Sequence, residues 1–364
     1  MSRRDASTGA GYGATMTPLA VMIATPLPPA LVDELAAVDG IELIHDPAVL
    51  PPQRWAGDIG GDPDHTRDAD AAARWTALLE RADVLYGIPG NSGAGLAEAL
   101  RAAPRVRWVQ ARNAGAGEQL GAALELDPER LRDVTVTSVS GIHAGPLAEF
   151  ALLGLLAFAK RLPELSRDKA DRVWPELPPT MGVLAGRTVL VVGLGEIGLA
   201  VAHLAGAAGM GVLGVKRTAT AVPGVDEVAA PDRLAELAAR ADDLVVTLPL
   251  TDATRGLVDA AALRALRPGA VVVNVGRGAV IDEAALAEAL RDGHLAGACL
   301  DVFTEEPLPA QSPLWELENV IVAPHSAART DDEDARAVAL FAENLRRRVE
   351  AQPLRNVVDP TRLY

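Results

Sequence analysis

The sequence predicts an α/β protein built from two parallel-sheet domains. Short apolar runs alternate with Ala/Leu-rich amphipathic segments from Leu19 almost to the end, the pattern of βαβ units. One long apolar stretch, "GPLAEFALLGLLAFAKRLPELS", interrupts the alternation and reads as a helix between two sheets. The length of 364 residues agrees, at roughly 100–200 residues per domain.

The elements follow in order. "MSRRDASTGAGYGATMTP" is polar, small and Gly-rich, so residues 1–17 are expected to be a disordered tail, with Met16 as an alternative start. Arg3-Arg4 hints at twin-arginine export, but "PLAVMIATP" is too short and proline-flanked for a signal core. Strand and helix runs then alternate: "LAVMIAT", "PALVDELAAV", "IELIHD", an acidic loop "AGDIGGDPDHTRDAD", "AAARWTALLERA", "DVLYGIP", "GAGLAEALRAA", "VRWVQAR" and "VTVTSVS". The long helix should end or kink at Pro163 and, being apolar nearly all round, should be buried. A second set runs from "TVLVVGLGEIGLAVAHLAGAAG" through "VLGVKRT", "PDRLAELAARA", "DLVVTLPL", "DAAALRAL", "AVVVNVG", "DEAALAEALRDG" and "AGACLDVF" to "NVIVAPH". "DDEDARAVALFAENLRRRVEA" closes the chain as a helix whose first-turn acids and last-turn arginines complement its dipole.

Composition excludes several classes. A net charge of −15 repels phosphate backbones, so nucleic acid is not an expected partner. The longest uncharged apolar stretch, Phe150 to Ala159, is far short of the ~20 residues of a membrane span. The single cysteine, Cys299, allows no internal disulfide and suits a reducing compartment, so a cytoplasmic protein is expected. No Cys/His spacing matches a zinc site, and no metal is expected.

Gly193, Gly195 and Gly198 form G-x-G-x-x-G between a strand run and a helical run that leaves from Glu196 and Ile197. In that setting the glycines allow a tight turn, close approach of a pyrophosphate, and helix-on-strand packing. The helix start then offers unpaired N–H groups to phosphates. The next strand chooses the cofactor. An acid usually bonds the ribose 2′-hydroxyl of NAD there, but this chain carries Lys216, Arg217 and Thr218. Two cations and a hydroxyl suit a 2′-phosphate, so NADP(H) is expected to be preferred, with NAD(H) possible. The fold class expected is thus two Rossmann-like or flavodoxin-like parallel-sheet domains joined by long hinge helices.

Chemistry in such sheets sits beyond the carboxyl ends of the strands. Three later strands end in Arg277, in Asp301 with Glu306 five residues on, and in His325. The set fits reversible hydride transfer to a 2-keto acid. His325 would donate a proton to the developing oxyanion, Glu306 would orient the ring and favour its charged form, and Arg277 would grip the carboxylate and polarise the carbonyl. Each residue alone has a structural explanation: a salt bridge, a cap before Pro307, a loop histidine. His143, just before the long helix, is the competing histidine and reads as hinge or cap.

"VVGLGEIG", "TLPLTDATRGLVD", "VVVNVGRGAVIDEAAL", "ACLDVFTEEPLPAQSPLWELENVIVAPHSA" and "FAENLRRRVEAQPLRNVVD" resemble the D-isomer-specific 2-hydroxyacid dehydrogenases. The likeness runs from about Asp83 to the C-terminus, while residues 19–82 match in architecture. It implies the Arg277, Glu306 and His325 triad. It implies Asp301 and Val275, Gly276 and Arg277 on the nicotinamide side of the cofactor, and Thr247, Leu248 and Pro249 along its adenosine half. It implies that Asn113, Ala114 and Gly115 present backbone N–H groups to the substrate carboxylate, and that Tyr86, Gly87, Ile88 and Pro89 wall the pocket. It also implies a homodimer whose domains close over a small 2-keto or 2-hydroxy acid. The organisation expected is a substrate-binding domain over 18–145, completed by 330–364, and a dinucleotide-binding domain with the hinge helix over 146–329.

Two departures stand out. Lys216-Arg217 replace the usual acid, as in NADP-preferring glyoxylate/hydroxypyruvate reductases. Arg112 and Asn113 stand where many members are small or uncharged, and Arg112 either reaches a second anionic group or points to solvent. The chain ends soon after its last helix, leaving no room for the regulatory domain of many phosphoglycerate dehydrogenases. The competing function is a nucleotide-sensing, co-repressor-like binding protein on the same fold. A methyltransferase would leave Arg277, Glu306 and His325 unexplained.

Overall fold

The computed structural model describes residues 17–361. The expected tail and Met16 lie outside the described residues, Thr17 excepted. The described chain divides into two compact units, one reaching Ser140 and resuming at Asp331, the other spanning Gly141–Thr330.

The first unit contains β1 (Leu19–Ile23), α1 (Pro29–Ala36), β2 (Ile41–Ile44), α2 (Ala69–Arg81), β3 (Val84–Tyr86), α3 (Gly93–Ala102), β4 (Trp108–Gln110), α4 (Gly117–Leu126), α5 (Pro128–Leu131), β5 (Thr135–Thr137) and the C-terminal helix (Glu333–Val349). All strand pairs are parallel, in the order β2-β1-β3-β4-β5. Asp68, Ser92 and Asp127 start α2, α3 and α5 by accepting the N–H groups of Ala71, Gly95 and Arg130. Successive strand residues face opposite ways. Ala20, Met22 and Leu85 pack with Leu79, Leu96 and Leu120, whereas Val21, Ile23 and Tyr86 pack with Leu35, Phe341 and Leu345. The C-terminal helix thus covers one face of the first sheet.

The second unit contains α6 (Ala144–Ala159), α7 (Leu162–Asp171), β6 (Thr188–Val192), α8 (Glu196–Ala207), β7 (Gly211–Val215), β8 (Glu227–Ala229), α9 (Leu234–Ala238), β9 (Asp243–Val246), α10 (Ala260–Ala265), β10 (Ala270–Asn274), α11 (Glu283–Arg291), β11 (Leu295–Leu300) and β12 (Val320–Val322). Its all-parallel order is β12-β11-β10-β9-β6-β7-β8. Strand order reverses at β6, so a crevice opens at its carboxyl end between β7 and β9, where such sheets bind ligands.

The long helix ends near Pro163 as expected: it is two helices, broken at Arg161, whose φ is 54°. Pro163 has no N–H for the Ala159 carbonyl, which accepts the N–H of Gly182 at 2.7 Å instead, and Pro163 sits in the first turn of α7. Against expectation, α6 is not buried all round: Leu147, Ala151 and Leu155 are buried, but Leu153 is 52% exposed. Finally, β8 has no counterpart in the pattern. It is a three-residue edge strand holding one charged residue, too short to show alternation. Among the described residues no helix is long and apolar enough to cross a membrane, and no His/Cys/Asp/Glu group could hold a metal ion.

Candidate active site

The glycine fingerprint folds as its spacing requires. Gly193 has φ of 106°, and a Cβ there would lie 2.9 Å from Thr247 Oγ1. A Cβ on Gly198 would lie 1.8 Å from the Gly193 carbonyl oxygen, so only glycine lets α8 start against β6. At Gly195 a Cβ would meet nothing within 4 Å. That open side, together with a helix start at Glu196 and Ile197 lacking a side-chain cap, fits a pyrophosphate. Thr247, buried after β9, donates to the Gly193 carbonyl at 2.7 Å and fixes the turn, while Leu248 and Pro249 emerge beyond it. Lys216 is half-buried at the end of β7, and Arg217 and Thr218 follow exposed. This is the strand end beside the fingerprint strand, with no acid among the three.

The residues at the ends of β10, β11 and β12 lie on neighbouring strands. Val275 and Gly276 are buried, and Arg277 is exposed between two glycines. A Cβ on Gly276 would lie 2.6 Å from the Leu248 carbonyl oxygen, and one on Gly278 1.9 Å from the Phe303 carbonyl carbon. The close-packed backbone around Arg277 therefore excludes side chains on both sides. Asn274, missed in the sequence, holds this turn: its Oδ1 accepts from Gly276 N–H at 3.0 Å, and its Nδ2 donates to the Arg277 carbonyl at 3.1 Å. Its one signal was a polar residue ending a valine run.

His325 Nδ1 lies 2.7 Å from Glu306 Oε2, and Glu306 Oε1 accepts the Phe303 N–H at 3.0 Å. Burial pushes the Glu306 carboxyl up. The hydrogen bond to His325, the Phe303 N–H and the charges of His325 and Arg277 outweigh it and hold Glu306 below the ordinary carboxylate range. With Nδ1 so engaged, Nε2 is the ring atom left to face a substrate. Asp301 is 1% exposed, and its Oδ1 accepts the N–H groups of Ser326 and Ala327 at 2.8 and 3.0 Å. Burial raises its pKa against those two donors. His143 is the N-cap residue of α6 and makes no side-chain cap bond.

The first-unit candidates fare differently. Ala114 and Gly115 are exposed between β4 and α4, whose N-cap Ala116 makes no side-chain cap bond. Asn113 Nδ2 donates to Gln119 Oε1 at 3.1 Å, tying the loop to α4. Gly87 is obligatory, since at φ of 97° its Cβ would lie 2.2 Å from Thr25 Oγ1. Tyr86 is corrected: its side chain does not wall a pocket but lies fully buried, stacked on Phe341 at 4.6 Å, and burial pushes its hydroxyl up to about 12. Residue parity on β3 sends it to the face covered by the C-terminal helix.

Arg112 is also corrected. It is 3% exposed and so does not point to solvent. Its Nη2 donates to Asp334 and its Nη1 to the Pro26 carbonyl and, at 3.3 Å, to Thr25 Oγ1. Its charge is met inside the unit and does not reach for a second substrate anion. Asp334 also takes Gln53 Nε2 at 2.7 Å and Gly57 N–H at 3.2 Å. Read from sequence as one first-turn acid among several, Asp334 is the hub tying the C-terminal helix to β1, β4 and the acidic loop.

Comparison with known proteins identifies the family. The family model of the D-isomer specific 2-hydroxyacid dehydrogenase NAD binding domain matches residues 152–327. D-3-phosphoglycerate dehydrogenase of Mycobacterium leprae is 36% identical over 296 residues, 78% of this chain and 51% of that protein. The chain thus spans about half the length of the phosphoglycerate dehydrogenases it matches. Glyoxylate reductase of Korarchaeum cryptofilum is 35% identical over 257 residues, covering 68% of this chain and 75% of that protein. The crystal structure of a D-isomer specific 2-hydroxyacid dehydrogenase from Xanthobacter autotrophicus, in complex with NADPH and MES, superposes with a TM-score of 0.71 at 31% identity, over 96% of this chain and all of that one. The chain belongs to the D-isomer specific 2-hydroxyacid dehydrogenase family.

Proposed function

We propose that the protein is an NADP(H)-dependent oxidoreductase that interconverts a 2-keto acid and a D-2-hydroxy acid, with His325 as proton donor and acceptor. The observation that carries this is the 2.7 Å His325–Glu306 pair, whose residues follow β12 and β11, the two strands next in order after β10, which Arg277 follows. When bound, the nicotinamide supplies or takes the hydride at C2 of the substrate. Glu306 holds His325 Nδ1, so the proton moves through Nε2 to or from the substrate oxygen. Arg277 binds the carboxylate and polarises the carbonyl, its exposed guanidinium close enough in charge to depress Glu306. Asn113, Ala114 and Gly115 add backbone donors at the uncapped start of α4, which suits a carboxylate. Gly193, Gly195, Glu196, Ile197 and Gly198 take the pyrophosphate. Lys216, Arg217 and Thr218 take the 2′-phosphate, Thr247, Leu248 and Pro249 the adenosine half, and Val275, Gly276 and Asp301 the nicotinamide side.

A homodimer is supported by apolar surface left open on the second unit, where Trp174 is 94% and Leu177 85% exposed, with Leu153 and Leu162 also uncovered. A cytoplasmic location is consistent with the single, unpaired thiol of Cys299.

The test is NADPH and, separately, NADH oxidation against glyoxylate, hydroxypyruvate, pyruvate, phenylpyruvate and 2-ketoisocaproate. Fast NADPH oxidation with one of them is expected. Lys216→Ala with Arg217→Ala should abolish the preference for NADPH, and an unchanged NADPH/NADH ratio would mean that the 2′-phosphate is read elsewhere. Intact NADPH binding with no turnover across the panel would favour the nucleotide-sensing protein.

A further inference from the structure

We infer that Asp301 is a positioning residue that imposes the left-handed backbone at His325 and thereby aims the imidazole at Glu306. This rests on the proton-transfer role of His325 proposed above.

Three successive N–H groups converge on Asp301. That of His325 donates to its backbone carbonyl at 2.9 Å, and those of Ser326 and Ala327 donate to its Oδ1. His325 has φ of 52°, a region that side-chain-bearing residues seldom enter and keep only where the surroundings enforce it. A left-handed residue among such neighbours turns consecutive N–H groups to one side, making a concavity for an anion. Here the anion is the chain's own carboxylate. Asp301 follows β11, the interior neighbour of edge strand β12, and is almost wholly buried, so the anchor is rigid while the loop it holds is not part of a strand. Without the carboxylate, the Ser326 and Ala327 N–H groups lose their acceptor. The His325 N–H keeps its main-chain acceptors, the carbonyls of Asp301 and Ala323, but the two N–H groups that follow are released, so the left-handed turn relaxes, the Cβ of His325 swings, and the ring leaves Glu306.

The test uses the full chain with NADPH bound. Asp301→Asn keeps an oxygen that accepts both N–H groups without charge; Asp301→Ala keeps none. Asp301→Ala should lower kcat at saturating NADPH about 10²-fold, the lower end of what a placed general acid contributes. Asp301→Asn should recover most of kcat. In protein labelled with ¹⁵N-histidine, the hydrogen-bonded Nδ1 proton of His325 should be seen in the wild type and in Asp301→Asn and lost in Asp301→Ala. If Asp301→Ala fails to fold, Asp301→Ser replaces it, its hydroxyl too short to reach residues 326 and 327. A kcat preserved in Asp301→Ala at saturating NADPH would overturn the inference. So would an Nδ1 proton signal that survives loss of the carboxylate. Should the wild type turn over no keto acid while the signal still depends on Asp301, the proton-transfer role falls and the positioning stands.

Discussion

Arg277 and Arg112 both follow the carboxyl end of a parallel strand, and they end in opposite circumstances. Arg277 is exposed, flanked by glycines that let two backbones close in, and among the described residues its guanidinium donates to the carbonyl of Gly276 at 2.7 Å. Arg112 is buried, with its Nη groups shared among Asp334, Pro26 and Thr25. A strand end therefore places an arginine at the carboxyl edge of a sheet without making its charge available. Burial and the presence of an internal carboxylate decide that. The first arginine keeps the exposed guanidinium that its proposed role needs, and the second is part of the frame that carries the loop of residues 113–115.

The largest effect expected from this contrast is on turnover. Arg277→Ala should reduce kcat/KM for a 2-keto acid by about 10²–10³, as for loss of one donor to a developing oxyanion, without moving the unfolding midpoint. Steady-state kinetics beside thermal unfolding check both halves. A stability loss with near-normal turnover would give Arg277 the structural role that Arg112 has.

Arg112→Ala should do the reverse. Removing one partner of a buried pair leaves Asp334 uncompensated and should cost about 3–5 kcal/mol, read as an earlier urea transition of the first unit. Replacing both partners with apolar residues, Arg112→Met with Asp334→Leu, should recover only part. Gln53 and Gly57 also bond Asp334 and would lose it. A raised KM for substrate at unchanged stability would return Arg112 to the substrate site.

The same contrast explains what the sequence disclosed. In the second unit most candidate residues, Asn274 excepted, are announced by local pattern: glycines at fixed spacing, an arginine between glycines, a histidine after a proline-ended strand. They follow successive strands of one sheet, so strand order brings Glu306 to His325 across 19 residues. The first unit is assembled from distant pieces. Arg112 meets Asp334 across 222 residues, and no local pattern reports such a pairing. Tyr86 turned inward because the C-terminal helix covers that face of β3, and nothing within "DVLYGIP" says which face is covered. Only Gly87 kept a local signature, as the residue that a left-handed φ requires.

The smallest expected effect concerns the Glu306–His325 pair, whose side chains are 35% and 48% exposed. Screening by water limits its worth to below about 1 kcal/mol at neutral pH. Its sign is fixed by the lowered pKa of Glu306, against an ordinary value of 4.5. The folded chain holds the carboxylate ionised where the unfolded chain has begun to take up a proton. The stabilisation is therefore complete above the unfolded value and is lost as pH falls through the folded one. Urea unfolding of the wild type and Glu306→Gln should differ slightly at pH 7, and the difference should shrink from about pH 5 downward. A difference that stays constant on acidification would mean that the carboxylate is not held ionised by the fold. Turnover of Glu306→Gln should fall far more than its stability, because a half-exposed pair aims a ring better than it holds a chain together. That is the reverse of the Arg112–Asp334 pair, which burial makes costly to break and closes to substrate.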